Sequence, residues 1–260
     1  MSTTIWKISR WKEGVFTACD DEVVEELPLT VFANGREIVT LLTLGENLAE
    51  LAVGFLRSEG FLSAREDILE LKEETGAVRL KLKGDIALVE SLMERRTLTT
   101  GCGKGTTFYH PLDALRVKPL DTGAVFSPED ILARMGEIQT RSEVFQRTGG
   151  THNASLASPE KTILFRADIG RHNAVDMLGG RALLDGLGVE SLALFTTGRV
   201  SSEILLKTAK MGVAVLVSRS APTALALRLA EQLGMTVIGY VRGGRFNVYT
   251  GSQRVKECNL

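Results

Sequence analysis

The chain is 260 residues long, 44% hydrophobic and 24% charged, with a formal net charge of −1 and a pI near 6.4. These values exclude a disordered or fibrous chain and a globally basic binder of nucleic acid or membrane surfaces, and they leave length for one large domain or two smaller ones. The N-terminal MSTTIWKISRWKEG lacks the apolar core and cleavage pattern of a secretory signal, and no run is long enough to span a bilayer. Cys19, Cys102 and Cys258 are odd in number and far apart, which argues against a disulfide framework and for a reducing cytoplasm.

Residues 23–33 (VVEELPLTVFA) and 36–43 (REIVTLLT) are strand-like. Asn34-Gly35 between them is the signature of a type I′ hairpin turn, because both residues tolerate positive φ. Over residues 46–59 the spacing of Leu48, Leu51, Ala52, Phe55 and Leu56 predicts a helix that stops at Gly60. Residues 77–82 (AVRLKL) read as a strand and residues 85–95 (DIALVESLMER) as a helix, so the first part is α+β. A glycine-rich loop over 99–107 and a connector over 111–126 follow. Ser127 is a good N-cap, with Pro128, Glu129 and Asp130 in the first turn of a helix, and Gly149-Gly150 closes that segment.

From residue 162 short apolar strands alternate with helices: strands at 162–168, 191–196, 213–218 and 235–241, helices at 172–184, 201–211 and 222–233, and a possible edge strand at 246–250. This rhythm predicts right-handed crossovers and a parallel sheet covered on both faces.

Ligands of open α/β sheets bind beyond the carboxyl ends of the strands. Those ends read Asp168 to Asn173, Thr196 to Ser202, Ser218 to Thr223, and Arg242 to Arg245. Each holds at least one arginine together with Gly, Ser or Thr, and each of the first three opens a helix. Helix N-termini offer unpaired N–H groups and roughly half a positive charge, and guanidinium groups fork onto phosphate or carboxylate. Arg171, Arg199, Arg219, Arg242 and Arg245 are therefore candidates for anionic groups, and Ser201, Ser202 and Thr223 for further hydrogen bonds. One such arginine is ordinarily a solvated surface residue. Four turns in register point instead to a large ligand with several anionic groups, dinucleotide-like in character. Neither a G-x-G-x-x-G after a strand nor a Walker P-loop is present. His172 either contacts a ligand, moves a proton or caps its helix. His152, just before a strand-like segment, also has polar neighbours, and His110 beside Pro111 reads as plain loop.

Cys102 stands in TLTTGCGKGTTF, residues 97–108, among small neighbours rather than in an apolar periodic run. Lys104 and nearby N–H groups favour its thiolate. At a pKa near 8.5 only about 3% of a thiol is ionised at pH 7, and one unit lower raises that to roughly a quarter. Zinc ligation needs closely spaced Cys/His ligands and dithiol chemistry a second cysteine nearby, and the sequence has neither C-x-x-C nor a deaminase zinc signature. A lone nucleophilic thiolate fits covalent carriage of an acyl group or of sulfur.

The stretches TGCGKG, FQRTGGTHNASL, DIGRHNAVDMLGG and the run from TTGRVSSEILLKTAKMG to GYVRGGRFNVYT closely resemble the FdhD family of formate dehydrogenase accessory sulfurtransferases, over roughly residues 20–255. The resemblance implies a cytidine-deaminase-like three-layer α/β sheet with parallel βα units in the C-terminal half, plus an N-terminal α+β part. We divide these at residues 1–110, ending in the cysteine loop, and 111–260. It implies that Cys102 bears a persulfide received from a cysteine desulfurase. It also implies that Tyr240, Val241, Arg242, Gly243, Gly244 and Arg245 bind the bis-molybdopterin guanine dinucleotide cofactor whose molybdenum receives the sulfur. A guanine nucleotide is then expected to mimic that ligand. Formate dehydrogenase is the implied client, and the implied protein is a cytoplasmic homodimer with no nucleic-acid or membrane partner. Some members read C-G-x-C in the loop. Here Gly105 replaces the second cysteine, so a relay between two loop cysteines lacks one member. The rival reading is a chaperone that binds the molybdenum cofactor without sulfur chemistry of its own.

Overall fold

The computed structural model describes residues 2–84, 119–120 and 123–258. The chain opens with a two-stranded antiparallel ribbon, β1 (Thr3–Lys12) and β2 (Val15–Val24), turned by Glu13 and Gly14 at φ 51° and 86°. The strand expected over 23–33 is thus two strands. β2 ends at Val24, and β3 (Leu27–Ala33) begins after Glu25 and Glu26, two adjacent acids that belong to neither. β4 (Arg36–Thr43) follows a turn in which Asn34 and Gly35 have φ 48° and 82°, as the I′ reading requires. Helix α1 (Leu48–Ser58), β5 (Ile68–Glu74) and β6 (Ala77–Leu82) complete the N-terminal unit, whose sheet runs β4-β3-β6-β5. The helix expected at 85–95 and the cysteine loop with Cys102 lie outside the described residues.

Helix α2 (Pro128–Thr140) starts on a capping box. Asp130 N donates to Ser127 Oγ at 3.1 Å, and Ser127 N donates to Asp130 Oδ2 at 2.9 Å. Short α3 (Glu143–Thr148) ends at Gly149, φ 64°. Then come β7 (His152–Ala157), β8 (Thr162–Asp168), α4 (Arg171–Leu184), β9 (Ala193–Thr196), α5 (Ser202–Met211), β10 (Val215–Ser218), α6 (Ala224–Gln232), β11 (Thr236–Arg242) and β12 (Arg245–Thr250). The sheet order is β12-β11-β10-β9-β7-β8. Only β9, β10 and β11 pair in parallel; β7 is antiparallel to both β8 and β9. The fully parallel sheet expected from the βα rhythm is therefore corrected at both sides: β12 is antiparallel to β11, and β7 is antiparallel to its two neighbours. Four residues, 158–161, join β7 to β8, and so short a link permits only a hairpin, since a parallel neighbour needs a crossover of a dozen residues or more. Among the described residues no helix is long and apolar enough to cross a membrane.

The sheet is covered on both faces. Leu156, Leu194, Leu216 and Val237 meet Leu178 of α4, Leu205 of α5 and Leu229 of α6. On the other face Phe195, Val217 and Ile238 meet Ile131, Met135 and Ile138 of α2. The N-terminal sheet packs on α1, and Met177 of α4 enters that core. Helices α1 and α4 cross backbone to backbone: a Cβ on Gly54 would lie 1.8 Å from Asp176 O, and one on Gly180 would lie 1.9 Å from Glu50 O.

Two alanine substitutions should therefore have opposite signs. Gly180→Ala has no space for its methyl and is expected to cost about 3 kcal/mol or more in urea denaturation. Gly136→Ala, exposed within α2 with nothing within 4 Å, is expected to stabilise by up to about 1 kcal/mol. Equal effects at the two sites would refute the close crossing.

Candidate functional site

β8 runs in the same sense as β9, β10 and β11, because β7 is antiparallel to both β8 and β9. Their carboxyl ends, and the start of β7, thus share one edge of the sheet, with His152 opposite Asp168 and Thr196 opposite Ser218. Backbone hydrogen bonds stitch each turn to the next. Thr197 N donates to Asn153 O at 3.0 Å and Arg219 N to Thr196 O at 3.0 Å. Val200 N donates to Ala221 O at 3.1 Å, Thr223 N to Val200 O at 2.9 Å, and Tyr240 N to Ser220 O at 3.1 Å. The result is a continuous rim held by main chain, so the side chains on it start from fixed positions.

The rim places the five arginines differently. Arg199, Arg242 and Arg245 are exposed, Arg219 is half-buried and Arg171 is buried. The stem of Arg171 lies against Gly198, where a Cβ would come within 2.9 Å of it. The β11–β12 hairpin extends about 10 Å beyond the level of Ser218, at 3.3 Å per residue. It turns on Gly243 and Gly244, φ 60° and 72°, and Arg242 sits 5.3 Å over the Tyr240 ring. Tyr240 itself has φ 57°, at a break in the β11–β12 register, while Val241 is turned into the core.

Ser201 and Thr223 are helix N-caps: their hydroxyls accept from Ile204 N at 3.4 Å and Ala226 N at 3.3 Å. Ser202, half-buried, is the first residue of α5. The N-cap of α4 is Gly170, which has no side chain to accept those bonds, and the first turn of α4 contains no acid. The N-terminus of α4, with Arg171 and His172 on it, is thus the least neutralised of the three.

His172 does not cap its helix. Its Nε2 reaches Glu203 Oε2, in the first turn of α5, at 3.0 Å. His152, missing from the candidate arginine and serine set, belongs to the same edge, and Nδ1 lies 3.4 Å from Thr197 Oγ1. Burial above all, then the neighbouring Arg171 and His172, hold the His152 imidazole below its ordinary pKa, with Asp168 opposing. The antiparallel β7 brings it there, which a parallel-sheet reading could not anticipate.

Asp168 and Asn173, in the same motif, are structural. Asp168 Oδ2 accepts from Thr43 Oγ1 at 2.6 Å and Leu44 N at 2.8 Å. Its Oδ1 accepts from Gly170 N at 2.9 Å and Asn173 Nδ2 at 2.7 Å, and Asn173 Nδ2 also donates to Leu42 O at 2.8 Å. The carboxylate is fully buried and joins the end of β4 to the start of α4. A cavity of about 490 Å³ lies instead along the β5–β6 hairpin, lined by Asn34, Lys72 and Arg79 among others, and no strand-end residue lines it.

The fold and rim define an α/β protein whose strand ends form a stitched basic edge. The chain belongs to the FdhD/NarQ family, whose model matches residues 24–256. It is 43% identical over 257 residues to the sulfur carrier protein FdhD of Bacillus subtilis (strain 168), covering 98% of each chain. It is 41% identical over 253 residues to the protein of that name from Listeria monocytogenes serotype 4b (strain F2365), covering 96% of this chain and 97% of the other. The crystal structure of a candidate formate dehydrogenase accessory protein from Desulfotalea psychrophila superposes with a TM-score of 0.81 at 26% identity, covering 98% of this chain and all of that one.

Asp168→Asn replaces an acceptor of four donors by an amide and is expected to cost about 2–4 kcal/mol in chemical denaturation. A smaller loss than that of an exposed Asp→Asn change would show that the latch is not formed. In the unfolded chain His152 gains its proton near pH 6.5, whereas the fold favours the neutral ring; its contribution is therefore full above about pH 6.5 and declines as pH falls through that value. His152→Gln should make the loss of stability between pH 7 and pH 5 shallower, and an unchanged slope would contradict the assignment.

Proposed function

We propose that this protein is a sulfur carrier that serves formate dehydrogenase. The Cys102 thiolate attacks the terminal sulfur of a cysteine desulfurase persulfide. An S–S bond forms on Cys102 as the donor's S–S bond breaks and the donor cysteine leaves as thiolate. The outer sulfur then passes to the molybdenum of the bis-molybdopterin guanine dinucleotide cofactor, the acceptor substrate, which must arrive reduced so that its two electrons bring the sulfur to sulfide while Cys102 leaves as thiolate. The observation that carries the cofactor half of this reading is the stitched rim, which sets Arg171, Arg199, Arg219, Arg242 and Arg245 along one edge of the sheet. The sulfur half is supported by the naming of the relatives as sulfur carrier proteins and by Cys102 within TGCGKG.

On this reading the exposed Arg242 and Arg245 meet phosphates of the guanine dinucleotide, and Tyr240 offers a flat face beside them. The α4 N-terminus, with Arg171 and His172, receives a second anionic group. We read the six-stranded sheet as the cytidine-deaminase-like frame implied by the resemblance, used to display arginines, and the protein as a cytoplasmic homodimer.

The test is peptide mass spectrometry after incubation with a cysteine desulfurase and L-cysteine. One reductant-labile sulfur is expected on the Cys102 peptide and none in Cys102→Ala. No added sulfur, with the desulfurase active, would sink direct transfer and favour the cofactor-binding chaperone, for which Cys102→Ala still supports formate dehydrogenase. In equilibrium binding, Arg242→Ala/Arg245→Ala should weaken GDP roughly 10- to 100-fold, and unchanged affinity would remove the hairpin from the site.

A further inference from the structure

The β11–β12 hairpin holds an irregularity that its glycines do not explain. Gly239 pairs with Asn247 and Arg242 with Arg245, so two residues of β11, Tyr240 and Val241, stand opposite one of β12, Phe246. This is a β-bulge whose first residue is left-handed, a place that glycine ordinarily takes because it has no Cβ. Here Tyr240 takes it, at φ 57°. For a residue with a side chain that conformation weakens folding roughly 5- to 30-fold. A glycine stands one position earlier, but its bareness serves packing. A Cβ on Gly239 would lie 3.0 Å from Tyr249 Cε2, 3.1 Å from Ser220 O and 3.2 Å from Pro222 Cδ.

The bulge decides where the arginines stand. Side chains alternate along a regular strand. Without the extra residue Val241 would share the face of Arg245, and Arg242 would share the face of Phe246, which packs toward the core beneath α2. The bulge reverses this. Val241 is 1% exposed in that core, and Arg242 pairs with Arg245 on the opposite face. A glycine at 240 would form the same bulge at lower cost. What an aromatic ring adds is a seat for Arg242, whose guanidinium lies 5.3 Å over the Tyr240 ring. A guanidinium held in this way has less freedom to lose when it meets an anion.

We propose that Tyr240 is a positioning residue, kept in a costly backbone conformation because its ring aims Arg242, beside Arg245, at a phosphate group of the ligand. The proposal rests on the reading of the rim as a site for a guanine dinucleotide, and it assigns Tyr240 an effect that passes through Arg242.

Equilibrium binding of GDP and urea denaturation of the full chain test it together. Tyr240→Gly and Tyr240→Ala both remove the ring and should each weaken GDP about 5-fold, whereas Tyr240→Phe, which keeps the ring, should recover the affinity. Tyr240→Gly should nonetheless have a higher urea midpoint than Tyr240→Ala, the reverse of the order in a regular strand, because glycine takes the left-handed place without strain. In an Arg242→Ala background the further change Tyr240→Gly should alter GDP affinity by less than about 2-fold. A Tyr240 that merely supports the fold would weaken binding equally with and without Arg242, and that result would overturn the proposal. So would an alanine variant as stable as the glycine one. Affinity lost in Arg242→Ala but unchanged in Tyr240→Gly would remove this proposal alone, whereas a parent chain that binds no GDP would overturn the reading of the rim and this proposal with it.

Discussion

The contact on which the rest of the molecule depends is the crossing of α1 and α4, where Gly54 and Gly180 let two helix backbones touch. A methyl at either place would sit inside a carbonyl of the other helix, so the distance between the N-terminal sheet and the six-stranded sheet is set by the absence of two side chains. Around that crossing lie polar clamps. Arg166 forks onto Glu50 with Nε and Nη2 at 2.5 and 2.8 Å. Lys207 Nζ, from α5, donates to both oxygens of Asp176 at 2.8 and 2.7 Å and to Ser58 Oγ at 2.7 Å.

Buried ion pairs of this kind add little net stability, because desolvation offsets most of their attraction. What they do is penalise misalignment. Sliding α1 along α4 would strand Lys207 or Arg166 among apolar atoms, so the clamps fix the register that the glycines leave open. The rim is then assembled on a frame whose two sheets have one relative position.

Much of this was legible beforehand, and the limits have physical causes. The Asn34-Gly35 turn, the Ser127 cap and the boundaries of β8, α4 and α5 follow from local rules, and local rules operate within a few residues. The strand-like segment that follows His152 is β7, but its place inside the sheet was not foreseen, because HNASLA alternates small and polar residues whose burial is decided by α2 and α4. β5 was missed because ILELKEE is mostly solvated. The ribbon could have been found from Glu13-Gly14, a positive-φ turn between two runs with cross-strand alternation. The four-turn alignment at the strand ends was readable, since β8 to β11 all run one way. The division of DIGRHN into a structural half and a rim half was not, because Leu42, Thr43 and Leu44, to which Asp168 and Asn173 tie the motif, lie more than 120 residues away.

That division gives the molecule a mechanical property. Asp168 grips the last residues of β4 with one oxygen and the first residues of α4 with the other, a few residues from Arg171 and His172. The helix crossing at Gly54 and Gly180 is a fulcrum, and the carboxylate is a short rigid link at one end of the beam. A displacement of the N-terminus of α4 therefore has either to carry the end of β4 with it or to break the bonds of this carboxylate. The two halves of the chain are thus joined at this edge by two side chains, Asp168 and Asn173, that bind each other as well as the end of β4.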